Sequence, residues 1–277
     1  MISVVIPLYN KEKSIKKTIK SVLEQTYKNF ELVIVNDGST DNSIDVVNEF
    51  VDSRIIVYNK KNGGVSSARN YGINVARGEF IMFLDADDII YSDCLDILLT
   101  YLNNFESCSI CVGNYYLKMP NGDMTLSSTC KEQGIVENPL KCFYEGTISF
   151  RAGVMLFKKN VFNQARFNEL ICVHEDTELW VKLLKEFVVL YTPIAIHEYI
   201  KEYSILSEKC LPLDKEFSYF INIKKVKNKY EKLILMENVL RSIIRRVFLR
   251  DYKSALLLTK NNLYIIHFLL WIYLKKK

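Results

Sequence analysis

Short apolar strands alternate with amphipathic helical patterns through the first half of the chain, and this alternation constrains the fold more than any other feature. Each strand is a β-branched or apolar run, and a pattern with apolar residues three and four positions apart follows it. The predicted strands are Ser3–Pro7, Glu31–Asn36, Arg54–Tyr58 and Phe80–Leu84. This order predicts an α/β fold, in which an open, mostly parallel sheet carries helices on both faces.

Polar residues follow each of the four predicted strands. They are Tyr9 and Asn10, Asn36 and Asp37, residues 59–64, and residues 85–88. In open parallel sheets, ligands bind beyond the carboxyl ends of the strands. We therefore expect all four polar segments to converge on one edge of the sheet and to form one ligand site.

The last of these segments contains Asp85, Asp87 and Asp88. Carboxylates one residue apart can share a hard cation with a diphosphate, because such cations prefer oxygen ligands and retain waters. Three neighbouring carboxylates also repel one another unless a cation is present. The alternative is an ordinary turn after a strand, where aspartate is common.

Two other loops lead into helices. Asp37 is suited to accept a hydrogen bond from a uracil or ribose group, although a plain turn capped by Asp41 is an alternative. Gly63 and Gly64 permit close approach of a backbone, and the helix start that follows them favours an anion. Because Arg69 opposes the helix dipole there, we expect it to pair with a phosphate or with the acidic residues 85–88.

Glu175 and Asp176 precede a helical pattern over residues 176–187. A carboxylate at a helix start is commonly a cap. The more specific hypothesis is a general base, because a carboxylate can deprotonate a sugar hydroxyl in a partly desolvated cleft. The sequence leaves both interpretations open.

Residues 109–157 change to short strands and turns, with a turn signal at Asn121-Gly122, and predict an antiparallel extension. We therefore divide the chain into a domain over 1–210 and a helical segment over 211–277. Within the domain we expect a nucleotide-binding half over 1–108 and an acceptor half over 109–210.

The segment 211–277 carries 15 Lys and Arg against 5 Asp and Glu, whereas residues 1–210 carry 22 against 27. Four arginines recur at roughly helical spacing, namely Arg241, Arg245, Arg246 and Arg250. The end of the segment is apolar and closes with three lysines, which suits an interfacial helix on an anionic membrane surface. Packing on the domain and a homodimer contact are the alternatives. We expect no nucleic acid partner, since no recognised binding motif accompanies the charge.

The start of the chain shows no secretory signal pattern, and no apolar run reaches the roughly 20 residues of a membrane span. The 7 cysteines have irregular spacing and indicate a reducing compartment. We therefore expect a cytoplasmic protein that is peripheral on the inner face of the cell membrane.

Five motifs occur together in one order: Pro7-Leu8-Tyr9-Asn10, Asn36–Asp41, Gly63–Asn70, Asp85–Asp88 and Glu175-Asp176. In this the chain resembles the family 2 glycosyltransferases of the bacterial surface-polysaccharide type, over roughly residues 1–190. The resemblance implies the GT-A fold, a Rossmann-like α/β domain, and transfer of a sugar from a nucleotide sugar with inversion. It also implies a divalent cation, Mn²⁺ or Mg²⁺.

The resemblance assigns roles to individual residues. Those expected to bind the nucleotide or the donor sugar are Pro7, Tyr9, Asn10, Asp37, Gly64, Arg69 and Asp85, with Asp37 on the base. Asp87 would bind the metal. Asp176 would be the catalytic base, with Glu175 beside it. Where family members often carry a metal-site histidine, this chain has Lys201, which could neutralise a phosphate, and His197 could supply the imidazole in another register.

We therefore expect transfer of a hexose or N-acetylhexosamine from a UDP-sugar to a glycan or a lipid-linked oligosaccharide. A sugar nucleotidyltransferase is an alternative, but it should carry a Gly-rich loop with basic residues where Pro7–Asn10 stands here. A non-catalytic nucleotide-sugar-binding protein is another alternative, and it would need no base at Asp176. A dinucleotide oxidoreductase is excluded, because no Gly-x-Gly-x-x-Gly follows the first strand.

Overall fold

In the computed structural model, which describes residues 1–119, 121–200 and 211–263, the predicted strands of the first half form a parallel array. They are β1 (Ile2–Leu8), β2 (Phe30–Asn36), β3 (Ile55–Asn59) and β4 (Phe80–Phe83), in the spatial order β3-β2-β1-β4. Strands β1, β2 and β4 are almost wholly buried. A strand covered on both faces needs apolar side chains on both, so these sequences are continuous apolar runs.

Helices connect these strands, as the sequence predicts. They are α1 (Ile15–Leu23), α2 (Ser43–Asn48), α3 (Val65–Val75) and, after the short strand β5 (Ile89–Ile90), α4 (Cys94–Asn103). Helix α3 lies very close to β1 at Gly72, where an added Cβ would stand 2.2 Å from Cγ1 of Val5. A side chain at position 72 would therefore push the helix away from the sheet.

The second half of the sheet is antiparallel in part. The strands and helices of this part of the chain are β6 (Ile110–Lys118), β7 (Met124–Leu126), β8 (Gly134–Ile135), α5 (Pro139–Glu145), β9 (Met155–Lys158), α6 (Glu175–Glu186) and β10 (Val189–Ile200). Strand β9 runs antiparallel to both β4 and β6, and β10 runs parallel to β6. Strands β6 and β7 form the predicted hairpin, whose turn contains Gly122 at φ +91°. The α/β fold class is confirmed, with one mixed sheet in the order β3-β2-β1-β4-β9-β6-β10-β5.

The described residues divide into two compact units. Residues 1–169 and 176–200 form the sheet unit, and residues 170–175 with 211–263 form a helical unit. The helices of the second unit are α7 (Phe217–Phe220), α8 (Lys229–Phe248) and α9 (Tyr252–Asn261). Its apolar core contains Ile171, Phe217, Ile223, Leu235 and Met236. No local pattern in the sequence indicates that residues 170–175 belong with the C-terminal helices.

The four arginines at and after the end of α8 do not form a single basic surface. Arg246 is only 1% exposed, and its guanidinium donates to the carboxylates of Glu216 and Asp251. Arg246 therefore belongs to the interior of the helical unit, because a buried guanidinium needs carboxylate partners inside the protein. Arg241 is exposed and pairs with Glu237 on its own helix.

Within the three described ranges, the helices are all too short or too polar to cross a bilayer. The apolar end of the chain, residues 264–277, lies outside these ranges.

Candidate functional site

The loops after β1 and β2 are tied together by Asn10. Its side-chain oxygen accepts a hydrogen bond from the N–H of Thr40 at 2.8 Å, and its own N–H donates to Oγ of Ser39 at 3.2 Å. Asn10 adopts φ +51°, a left-handed conformation that asparagine tolerates better than most residues. Asn10 therefore organises the edge of the site. Its predicted role in nucleotide binding stays a prediction.

Asp37 joins the end of β2 to the loop after β3. Its carboxylate accepts the N–H groups of Gly63 and Gly64 at 2.9 and 2.7 Å, and the ammonium of Lys60 at 2.6 Å. Gly64 adopts φ +88°, which residues with a side chain rarely do, and α3 begins directly after it. Asp37 thus holds the glycine loop against the strand ends. This goes beyond the alternative of a plain capped turn, in which Asp37 would not contact another loop. Whether it also contacts a base stays a prediction.

Arg69 pairs with the acidic residues after β4, as its position at the start of a helix predicted. Its Nη2 lies 2.8 Å from Oδ1 of Asp85, and its guanidinium lies 5.1 Å from the ring centroid of Phe167. Burial raises the pKa of Asp85, but the charge and hydrogen bond of Arg69 outweigh it and hold that pKa below its ordinary value. Asp85 is therefore an ionised acceptor at the edge of the site.

Asp87 forms an ion pair with Lys11, which follows the β1 loop. Burial raises the pKa of Asp87, and the neighbouring carboxylates Asp85 and Asp88 add to this rise, while Lys11 opposes it. The turn that carries these aspartates is fixed from α1, because Oγ of Ser14 donates to the carbonyl of Ala86 at 2.9 Å. Lys11 and Asp87 therefore meet where the ends of β1 and β4 converge.

Asp88 is buried between Arg151 and His197. Nη2 of Arg151 lies 3.2 Å from Oδ2 of Asp88, and Nε2 of His197 lies 3.0 Å from the same oxygen. His197 is fully buried on β10, and an added Cβ at Gly153 would stand 2.5 Å from its Nε2. The imidazole proposed as a metal ligand thus faces Asp88, and its metal role stays a prediction. Lys201 lies outside the described residues.

The residues of this cluster fit a divalent cation through Asp87 alone. The described residues bring no group of three His, Cys, Asp or Glu side chains into a metal-binding arrangement. The repulsion between the aspartates, which suggested a metal, is already offset by Arg69, Lys11 and Arg151. However, Mg²⁺ is commonly held by one or two carboxylates together with substrate phosphates and waters. Asp87 fits that role if a cation exchanges with Lys11.

Tyr9 and Pro7 lie at the end of β1, beside this cluster. Tyr9 is 48% exposed, so an aromatic residue is accessible at the edge of the site. Pro7 is partly buried within the strand, in register with Val35 of β2. These positions are compatible with their predicted contacts to a nucleoside.

Asp176 is the second residue of α6, and Glu175 is the first. Both are partly buried, and Oδ1 of Asp176 accepts the N–H of Thr177 at 2.6 Å. His174, directly before the helix, adopts φ +60°, a left-handed conformation that costs energy for a residue with a side chain. Such strained backbone is concentrated at functional sites, which favours the hypothesis of a base over that of a simple cap. The role of Asp176 stays a prediction.

The sequence model of glycosyl transferase family 2 matches residues 3–165, more than half of the chain. The chain belongs to glycosyltransferase family 2. The matched range contains the four converging strand ends and the aspartates after β4, which agrees with the residues that carried the resemblance. This match establishes that the chain is of the glycosyltransferase class, and it counts against the alternative of a sugar nucleotidyltransferase.

Two relatives and one solved structure extend this result. The chain is 28% identical to the glycosyltransferase GlyG of Streptococcus pneumoniae, over 92% of this chain and 89% of that protein. It is 29% identical to the minor teichoic acid biosynthesis protein GgaB of Bacillus subtilis, over 64% of this chain. Several relatives are much longer proteins, of which the chain spans 17% to 20%. The structure of S. aureus TarS 1–349 in complex with UDP-GlcNAc has a TM-score of 0.70 at 22% identity, covering 86% of this chain and 71% of that chain, and shows the same fold.

Three cations of this family 2 site were given no role in the predictions, namely Lys11, Lys60 and Arg151, although Lys60 lies within the predicted polar segment over residues 59–64. Lys11 and Lys60 stand beside predicted motifs, so a search for counter-ions to the aspartates would have found them. Arg151 gave no such signal, because it lies 63 residues after Asp88 and reaches it only through the pairing of β9 with β4 and β6.

Proposed function

We propose that this family 2 glycosyltransferase transfers a hexose or N-acetylhexosamine from a UDP-sugar to a hydroxyl group of a glycan or lipid-linked acceptor. The observation that carries the proposal is the convergence of Tyr9, Asp37, Arg69 and Asp87 at the carboxyl ends of β1, β2 and β4 and at the start of α3. The TarS structure of the same fold contains UDP-GlcNAc, which supports UDP as the nucleotide.

In this proposal the nucleotide lies along the strand ends. Tyr9 offers an exposed ring to the base, and Pro7 and Asn10 border it. Asp37 holds the backbone of Gly64 at the start of α3, where N–H groups and the helix dipole favour the negative diphosphate. Arg69 keeps Asp85 ionised, so that its carboxylate can accept a hydrogen bond from a ribose or sugar hydroxyl.

The proposed transfer is a single displacement. The carboxylate of Asp176 takes the proton from the acceptor hydroxyl as its oxygen attacks the anomeric carbon. The bond from that carbon to the diphosphate oxygen breaks, UDP leaves with the bonding electrons, and the configuration inverts. Glu175 would support the acceptor beside Asp176, and no covalent enzyme intermediate is needed.

Mn²⁺ or Mg²⁺ bound through Asp87 would offset the charge that develops on the departing diphosphate. The ammonium of Lys11 would then pair with a phosphate oxygen instead of Asp87. Asp87 would face the metal ion, and the phosphate would face Lys11. His197 and Lys201 are the remaining residues that we assign to this side of the site.

We further propose that the acceptor belongs to cell-surface polysaccharide biosynthesis and that the protein is peripheral on the inner face of the membrane. GgaB, a teichoic acid biosynthesis protein, supports an acceptor of this kind. Phe248 and Tyr252 are 83% and 63% exposed near the junction of α8 and α9, close to the exposed Arg250. Large apolar side chains beside cations suit an anionic interface. A homodimer contact through the same side chains is the alternative.

Replacing Asp176 tests the mechanism. Asp176→Asn removes the proton acceptor but preserves the size of the side chain, so we expect UDP release from UDP-sugars with Mn²⁺ and water as acceptor to slow by about 10²–10⁴-fold. The affinity for UDP should stay within about twofold, because the base does not bind the nucleotide. Glu186→Gln is the matched control, since it changes an exposed carboxylate at the far end of α6 and should leave the rate unchanged. Near-normal turnover by Asp176→Asn would remove Asp176 as the base.

A further inference from the structure

Asn70 follows Arg69 in α3, and its side chain holds the backbone of Phe167 within the same sheet unit. Its Nδ2 donates to the carbonyl oxygen of Phe167 at 2.9 Å, and its Oδ1 accepts the N–H of the same residue at 3.1 Å. Nδ2 also donates to Oε1 of Glu169 at 2.9 Å. An asparagine carries both a donor and an acceptor, so Asn70 can satisfy both backbone groups of a residue 97 positions along the chain. These two bonds fix the backbone of Phe167 on α3.

The ring of Phe167 is buried and is held by two other aromatic rings. The ring centroids of Phe83 and Trp180 lie 5.2 and 5.9 Å from that of Phe167, with interplanar angles of 87° and 74°. Aromatic rings prefer such edge-to-face arrangements, which set the orientation of a ring as well as its depth. The orientation of Phe167 is therefore fixed by its neighbours, and its backbone is fixed by Asn70.

This ring supports the guanidinium of Arg69. Cζ of Arg69 lies over the ring at 5.1 Å from its centroid, within the roughly 6 Å over which a cation is attracted to an aromatic ring. Arg69 is itself only 4% exposed, and its Nη2 lies 2.8 Å from Oδ1 of Asp85. Because water screens a buried charge only weakly, the ring and the carboxylate both act strongly on the position of this guanidinium.

We infer that Asn70 is a positioning residue for the donor site, which acts through Phe167 on Arg69. Asn70 holds the backbone of Phe167, the ring of Phe167 holds the guanidinium, and the guanidinium holds the carboxylate of Asp85. Without the side chain of Asn70, Phe167 loses its two bonds to α3, and Arg69 loses a fixed support. The sequence places Asn70 in the Gly63–Asn70 motif, but the predictions gave it no role. The inference rests on the proposed role of Asp85 in donor binding.

Calorimetry on the full chain tests it, with UDP-glucose, UDP-galactose and their N-acetyl forms in the presence of Mn²⁺. The probe is whichever of the four the wild type binds most tightly. We expect Asn70→Ala to weaken its binding by about fivefold, the factor that corresponds to the loss of one cation–π contact. An asparagine with a merely structural role would lower the unfolding temperature and leave the Kd of the folded protein unchanged.

A double-mutant cycle with Arg69→Met shows whether Asn70 acts through the guanidinium. Arg69→Met alone should weaken binding at least about tenfold, because the carboxylate of Asp85 loses its partner. In that background Asn70→Ala should cost less than about twofold, since a guanidinium that is absent cannot be misplaced. Should Asn70→Ala fail to fold, Phe167→Leu keeps an apolar side chain but removes the ring, and it should weaken binding by a similar factor.

Asn74→Ala is the matched control. Asn74 is exposed one turn further along α3, and its Oδ1 accepts Nη1 of Arg166 at 3.0 Å. The substitution therefore removes a contact between the same helix and the same loop without removing a bond to Phe167. It should leave the Kd for the UDP-sugar unchanged.

The outcomes separate the inference from the proposed function. A normal Kd in folded Asn70→Ala, equal losses from Asn70→Ala in both backgrounds, or an equal loss in Asn74→Ala overturns the positioning role while the proposed function stands. A normal Kd in Arg69→Met overturns the donor role of the Arg69–Asp85 pair and, with it, the inference. If the wild type binds none of the four UDP-sugars, both the proposed function and the inference are overturned.

Discussion

Each aspartate at the strand-end site faces its own cation. The pairs are Asp37 with Lys60, Asp85 with Arg69, Asp87 with Lys11, and Asp88 with Arg151. The cluster is therefore close to neutral before any ligand binds, and each side chain is held in place by its partner. A nucleoside diphosphate would add negative charge to a balanced site, which is a physical reason to expect a divalent cation to enter with it.

A buried carboxylate elsewhere in the sheet unit supplies a testable prediction. Glu31 of β2 accepts Oγ of Ser3 at 2.6 Å and both the N–H and Nε of Arg77, at 2.6 and 2.7 Å. Burial raises the pKa of Glu31, but these hydrogen bonds outweigh it, so the pKa of the folded state lies below that of the unfolded state. The ionised carboxylate therefore stabilises the fold above the unfolded pKa, and this stabilisation is lost as the pH falls through the folded pKa.

We expect Glu31→Gln to lower the free energy of unfolding by about 1–3 kcal/mol near neutral pH, which is typical of hydrogen bonds to a charged group. The difference from wild type should shrink on acidification, and urea titrations across the pH range measure it. Glu49→Gln is the control, because Glu49 and its partner Lys16 are both half exposed. Its effect should stay within about 0.5 kcal/mol. An equal effect of the two substitutions would contradict the role given to Glu31.

The apolar periodicity of the sequence correctly predicted the helices that bury one regularly spaced apolar face. The apolar face of α1, with Ile15, Ile19 and Val22, is buried as its spacing indicates. By contrast, Val51 continues the apolar spacing of Ile44 and Val47, yet the helix ends at Asn48 and Val51 is fully exposed. A short helix with one buried apolar residue, Val47, carries too little pattern to place its end.

Several contacts between distant elements are not indicated by any local pattern in the sequence. The pairing of β10 with β6 buries His197 beside Asp88, and no local pattern reports such a pairing. Likewise, residues 170–175 read as part of the first domain, because their partner, Glu216, lies more than 40 positions along the chain. The Gly63-Gly64 loop was placed correctly before a helix, because glycines that directly precede an apolar helical pattern mark the helix start in the local sequence.

At the scale of the whole molecule, the proposed membrane contact predicts a specific loss of binding. Phe248→Ser with Tyr252→Ser removes the exposed apolar side chains near the α8–α9 junction, so co-sedimentation with vesicles of phosphatidylcholine and phosphatidylserine should fall at least about tenfold, by loss of buried apolar area. Tyr219→Ser, which changes an exposed aromatic residue on α7, is the control. Unchanged co-sedimentation of the double variant would contradict this contact, and a change from dimer to monomer would favour the homodimer.

In the proposed mechanism, the strand-end edge binds a UDP-sugar together with a divalent cation. Calorimetry tests this when the wild-type chain and Asp87→Asn are titrated with UDP, first with Mn²⁺ present and then with EDTA. We predict that Mn²⁺ tightens the binding of UDP to the wild type by at least about tenfold, that EDTA reverses this, and that Asp87→Asn shows no such gain. UDP binding that is absent, or equally strong with EDTA and in Asp87→Asn, would contradict the claim.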